Sequence, residues 1–300
     1  MNLLKKFVKN KAINPPGWLV DNTMYLTMHG SYAYQVNSNN SDVDIYGIVI
    51  PPKSELFFIG EIIGFGKLKY TESRFRHFQE HHVLDTEDIN KREYDFNIAN
   101  IVDFCELASE CNPNWLEVLF TDINCILHTT SIGKLLRDSR ELFLSKKVYI
   151  TMTNYAYSQL NKAKSLEKTG KRKESIDKFG FDPKALYHCA RLIDQCEQIL
   201  LTGTLELGRN KEYLKAIRRG EVSHEEVQRK FKEKEKYLTS LYETSNAVPN
   251  IPRKEEIKSL LFQCLEMHYG DLSSLVPKED VYRRAFEEMS TIIDKYKGLT

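Results

Sequence analysis

Residues 30–50 read GSYAYQVNSNNSDVDIYGIVI, and the fold is legible from this stretch outward. A glycine-serine pair, Gly30-Ser31, follows the strand-like segment Met24-Tyr25-Leu26-Thr27-Met28. A polar turn from Asn37 to Ser41 then leads to Asp42-Val43-Asp44, which opens the apolar run Ile45, Ile48, Val49 and Ile50. Side chains alternate along a strand with period two, so Asp42 and Asp44 present their carboxylates on one face. Two like charges held that close need a cation. Hard oxygen donors with room for phosphate oxygens suit Mg²⁺ or Mn²⁺ better than zinc. At the turn, glycine lets the backbone approach a ligand, and serine can open a helix whose start favours phosphate. The pattern predicts a metal-dependent phosphoryl or nucleotidyl site.

The stretch GSYAYQVNSNNSDVDIYGIVIPP resembles the G-S…D-x-D signature of the DNA polymerase β-like nucleotidyltransferase superfamily, and is most similar to its bacterial and phage branch of RNA-repair-associated members. Similarity to that branch continues through Gly64-Phe65-Gly66, His81-His82, Tyr94-Asp95, the segment Asn112 to Glu117 and the segment Tyr155 to Leu160. One departure is Gln35, where relatives often have glycine, so the turn after the first helix is expected to be stiffer. The resemblance implies transfer of a nucleoside monophosphate from an NTP to an acceptor hydroxyl, with an RNA end of tRNA type as the favoured acceptor. Nucleotidylation of a protein or small molecule, and a non-catalytic nucleotide-sensing module, are the alternatives, because fold does not fix the acceptor.

Transfer with two metals needs a third carboxylate on a neighbouring strand. Asp95 is the candidate, because the Tyr94-Asp95 block falls where the resembling family carries its third acid. Glu93, two residues away on the same strand face, is the reserve. In this scheme Asp42 and Asp44 bridge both ions, and Asp95 holds the catalytic ion and takes the proton of the nucleophile. Ser31 and the Gly30 backbone hold β- and γ-phosphate oxygens.

The chain has 300 residues, enough for one large domain or two ordinary ones with ample core. Its 43 basic and 42 acidic residues leave a formal charge of +1, so no overall field draws in nucleic acid and any RNA contact is local. No apolar run reaches membrane-spanning length and the N-terminal residues lack the apolar core of a signal peptide, which predicts a cytoplasmic protein without a membrane partner. Six cysteines (Cys105, Cys111, Cys125, Cys189, Cys196 and Cys264) show no C-x-x-C pairing and read as buried free thiols.

After the break at Pro15-Pro16-Gly17 the spacing predicts a strand over 23–28, a short helix from Ser31, and a strand over 43–50 closed by Pro51-Pro52. A loop-rich stretch holds Gly60, Gly64 and Gly66. Residues 93–98 form the next strand and lead into a helical pattern through Ile98, Ile101, Val102, Cys105 and Leu107. From about Ser145 helical spacing dominates, punctuated by Lys168-Thr169-Gly170 and Leu201-Thr202-Gly203. The fold class is therefore α/β (α+β). A small mixed-sheet catalytic domain over 1–145 precedes an all-helical domain over 146–300.

The helical half should complete the nucleotide pocket. Asp182-Pro183 starts a helix well, with an N-cap acid and proline at the first position. Lys184, His188 and Arg191 then fall on one stripe, as a clamp for triphosphate, with Leu186, Cys189, Ala190 and Ile193 on the other side. A basic run (Lys162, Lys164, Lys168, Lys171, Arg172, Lys173), broken by Glu167, is a candidate polynucleotide patch. Arg229 to Lys236, interleaved with Glu233 and Glu235, reads as a solvated helix with internal ion pairs. His77, His81 and His82 would allow two ligands on one helix face, but no zinc pattern accompanies them, and a structural or substrate-lining role is expected. Trp18 and Trp115 sit among apolar neighbours and read as core.

Overall fold

The computed structural model describes residues 3–39, 41–56, 74–164, 171–270 and 289, with 171 and 172 described by backbone alone. Gly60, Gly64 to Gly66, Glu167 and the Lys168-Thr169-Gly170 turn lie outside the described residues, as do the side chains of Lys171 and Arg172.

Five strands, β1 (Thr23–Met28), β2 (Val43–Val49), β3 (His77–Leu84), β4 (Glu93–Asn100) and β5 (Ile126–Thr129), form a mixed sheet in the order β3-β4-β2-β1-β5. Only β2 and β4 run parallel, and their register sets Val43 beside Tyr94, Asp44 beside Asp95 and Ile45 beside Phe96. Alternation then sorts the two faces. Val43, Ile45, Tyr94, Phe96 and Ile98 pack on the helix α1 (Leu3–Lys9), where the Phe7 ring meets Tyr94 and Phe96 at 4.9 and 5.2 Å. On the opposite face Tyr25, Ile48 and Ala99 join the core of the helical layer, and the same face carries Asp44 and Asp95. The acids therefore lie at the rim of the helical layer.

Between β1 and β2 runs a short helix, α2 (Gly30–Ala33), and α3 (Ile101–Ser109) follows β4. Asn100 ends β4 and caps α3, its side chain accepting from the N–H groups of Val102 and Asp103 at 2.8 and 2.9 Å. The strand thus extends two residues beyond the expected 93–98, and Ile98 belongs to the sheet core rather than to the helical pattern. Neither β3 nor β5 was expected. The residues 77–84 are mostly polar because β3 is an edge strand, and His77, His81 and His82 stand on it rather than on a helix.

Beyond β5 the described residues contain helices and no further strand. These include α4 (Lys147–Ala163), α5 (Lys171–Phe179), α6 (Pro183–Thr202), α7 (Lys211–Arg218), α8 (His224–Thr244) and α9 (Lys254–Tyr269). Helix α6 starts as the sequence indicates, with the Asp182 carboxylate accepting from the N–H groups of Lys184 and Ala185 at 2.9 and 3.2 Å, and it stops at Gly203 with φ +69°. Its two-faced pattern does not hold. Helices α4, α7 and α8 pack around it, so Tyr187, Arg191, Asp194, Gln195 and Gln198 are buried together with its apolar residues. Helix α8 keeps the ion pairs expected of a solvated face, Arg229 to Glu233 at 2.9 Å and Lys230 to Glu226 at 3.1 Å. All six cysteines are buried free thiols. Trp18 and Trp115 pack against the two cores. Among the described residues no helix is long and apolar enough to cross a membrane.

Candidate active site

The site begins at the turn that leaves β1. The His29 N–H donates to the Asp44 main-chain oxygen at 2.7 Å, which stitches the Gly30-Ser31 turn to the strand that bears the acids. Gly30 has φ +57°, and a Cβ there would lie 1.9 Å from Asp44 Oδ2. Both the dihedral and the space demand glycine. Gly30→Ala is therefore expected to displace the Asp44 carboxylate and cut divalent-ion affinity at least about tenfold. Isothermal titration with Mn²⁺ measures this directly.

Past α2, Gln35 adopts φ +56°, a left-handed conformation that favours glycine. Its side chain oxygen accepts from Lys211 Nζ at 2.8 Å, so a residue of α7 steadies the turn. The polar loop closes on itself, Ser38 N–H donating to Ser41 Oγ at 2.8 Å and Ser41 N–H to the Ser38 carbonyl at 3.1 Å, and Asp42 follows directly.

The register brings Asp95 beside Asp44, with Asp42 one residue before β2. Burial pushes the Asp44 carboxyl above its ordinary value. His29 and Lys184 act against that shift, while Asp95 and Asp42 add to it. These five groups share one electrostatic environment, and the mutual repulsion of the acids is what a bound cation relieves. Among the described residues no group of three or more His, Cys, Asp or Glu side chains is arranged to hold a metal ion. Open carboxylates beside a glycine cradle fit Mg²⁺, which takes one or two carboxylates and completes its shell with water and phosphate oxygens.

Asp95 Oδ1 accepts the His82 main-chain N–H at 2.7 Å, and His81 Nδ1 lies 3.6 Å from the same oxygen. Glu93 Oε2 is 3.1 Å from His82 Nδ1. The histidine pair thus contacts both candidate third acids.

Of the three residues expected to line a triphosphate clamp, Lys184 is exposed at the start of α6 and His188 is half-buried one turn on. Arg191 departs from this stripe. It is 3 % exposed and points inward, where Nη1 pairs with Glu117 and donates to the Tyr34 hydroxyl at 2.6 Å. A guanidinium taken out of water needs such partners, and Tyr34 and Glu117 supply them where this stretch of α6 is buried. The Tyr34 hydroxyl also donates to Glu117, and His29 Nε2 lies 3.4 Å from Glu117 Oε2. Burial alone raises the Glu117 carboxyl, but Arg191, His29 and Tyr34 together hold it below its ordinary value. His29, Tyr34 and Glu117 were not legible as site residues. Glu117 ends the Asn112 to Glu117 block, whose chemistry becomes apparent only with its partner in place.

Among solved structures, the nucleotidyltransferase-like protein from Exiguobacterium sibiricum 255-15 matches with 11% identity over 98% of this chain and 90% of its own, at a TM-score of 0.28. No curated protein matches the sequence. Residues 2–256, which include the whole sheet and most of the helical layer, match the family described as RNA repair pathway DNA polymerase beta. The Gly-Ser turn, Asp42, Asp44 and the Asp95 set beside Asp44 on β4 all fall within that match, and the chain belongs to the RNA repair pathway DNA polymerase beta family.

Proposed function

We propose that the chain transfers a nucleoside monophosphate from an NTP to a hydroxyl at an RNA end, with Asp42, Asp44 and Asp95 as the carboxylates of a two-metal site. The observation that carries this reading is the register of β2 and β4, which sets Asp44 beside Asp95 while the Gly30-Ser31 turn is tied to the same strand. Mg²⁺ or Mn²⁺ bound there would activate the attacking hydroxyl and neutralise the leaving pyrophosphate. Asp42 and Asp44 would hold the ions, and Asp95 would serve the acceptor side and take up the hydroxyl proton. The Gly30 N–H and Ser31 hydroxyl hold phosphate oxygens, and Lys184 and His188 meet the triphosphate from α6. Arg191 acts at one remove, by fixing Glu117 behind His29.

The RNA acceptor is supported by the family description and by local charge. The Asp182 N–H donates to the Ala163 carbonyl at 3.0 Å, which joins the end of α4 to the start of α6. Exposed Lys162 and Lys164 therefore lie near the start of α6, whose Lys184 charge is felt by Asp44, and Lys173 and Lys178 are exposed on the intervening α5. A polyanion gains from such a track even on a nearly neutral chain.

The test is incubation with each α-³²P-labelled NTP and Mg²⁺ or Mn²⁺, offering RNA, protein and small-molecule pools separately, beside the Asp42→Asn variant. Label in RNA that disappears with the variant is the expected result. Label in protein or a small molecule moves the acceptor, and nucleotide binding without any transfer points to a sensor.

A further inference from the structure

Along β3 the pairing with β4 slips. Glu80 stands opposite Phe96 and Val83 opposite Tyr94, so two residues, His81 and His82, share the place opposite Asp95. A bulge of this kind re-aims the backbone of an edge strand. His82 takes φ +56°, a left-handed conformation that a side chain disfavours and that is seldom seen within a strand. The consequence is an N–H aimed at a side chain: it donates to Asp95 Oδ1 at 2.7 Å. The His82 ring turns to the other acid, with Nδ1 3.1 Å from Glu93 Oε2.

We infer that His82 is the positioning residue of the third carboxylate, its main-chain N–H pinning one oxygen of Asp95 so that the other serves the cation, while its ring keeps Glu93 out of the cluster. This deepens the proposed two-metal reading and rests on it. A carboxylate on the partly open face of β4 is otherwise free to rotate, and a charge-assisted bond from a rigid backbone donor removes that freedom. The contact also distinguishes the two candidate acids. Asp95 is held by the backbone, in register with Asp44, whereas Glu93 is engaged by an exposed ring. Because the donor is the backbone, the requirement at residue 82 is for the left-handed conformation and an N–H, not for imidazole.

Glycine meets that requirement and valine, which keeps the N–H but resists positive φ, does not. The His82 side chain is 78 % exposed, so neither substitution opens the core. Transfer and Mn²⁺ binding are measured for wild type, His82→Gly, His82→Val and Asp95→Asn, with circular dichroism confirming a native fold in each. His82→Val is expected to fall about tenfold below His82→Gly in kcat, with KM for the NTP shared between them, and to bind Mn²⁺ about tenfold more weakly by electron paramagnetic resonance titration. Equal kcat and equal Mn²⁺ affinity in the two variants would overturn the inference, as would a His82→Gly variant as impaired as His82→Val. Failure of the underlying reading looks different: wild type and Asp95→Asn would then be alike in both Mn²⁺ binding and transfer.

Discussion

Asp44→Asn lowers transfer by at least about a thousandfold and leaves the melting temperature equal to or above that of the wild type. The two halves of this expectation have one cause. Asp44 lies under Gly30 with Asp42 and Asp95 as neighbours, and burial together with those charges raises its carboxyl above the ordinary 3.8. A carboxyl raised in the folded state is disfavoured as the anion, so above that raised value the charge works against folding. Asparagine keeps the shape and removes the charge. The same charge is what binds a cation, so the substitution relieves repulsion and removes the ligand together. Proton and cation compete for the carboxylate, and transfer by the wild type should fall as pH drops through the raised Asp44 value. A labelled-NTP assay run beside a thermal melt tests both halves. Full turnover in the Asp44→Asn variant, or a marked drop in its melting temperature with activity intact, would remove Asp44 from the site.

Glu117→Gln or Arg191→Met, made singly, is expected to cost about 3–5 kcal/mol of stability, because each leaves a buried partner uncompensated. Glu117 is 0 % exposed and its charge is matched by Arg191 within a cluster that includes Tyr34 and His29. Replacing the set together, as Glu117→Leu, Arg191→Met and Tyr34→Phe, removes the charges and hydroxyl at once and should recover most of that stability, since buried ion pairs gain little over well-packed apolar groups. Transfer should not recover, because His29 loses the carboxylate that orients it beside the Gly30 turn. Urea unfolding separates the single variants from the triple. The pH dependence has a definite sign: Glu117 is held below its ordinary 4.5, so the stability it contributes is present above that value and is lost as pH falls through the lower folded one. In the triple variant that acid-sensitive component should be absent.

Much of the sheet-bearing half is legible in the sequence because its signals are local. Period-two alternation across Val43, Asp44 and Ile45 identifies the strand and its acid-bearing face, and Asp182-Pro183 identifies a helix start, without knowledge of any distant residue. The edge strand β3 escaped notice because a strand packed on one side need not alternate cleanly, and His77-Phe78-Gln79-Glu80 is nearly all polar. Helix α6 departs from its sequence pattern for the converse reason. Spacing reports which residues share a stripe, but whether the stripe meets water or a neighbouring helix depends on what packs there.

The aspartate pair, the glycine before it, the free thiols and the family resemblance are properties of residues close in sequence, set by backbone geometry and side-chain chemistry alone. The pairing of Asp44 with Asp95, the seat of His82 between Asp95 and Glu93, and the inward turn of Arg191 onto Glu117 join residues from separate elements. Only the tertiary structure decided those, because strand register and the burial of a charge follow from the packing of the whole sheet and helical layer, which no local stretch encodes.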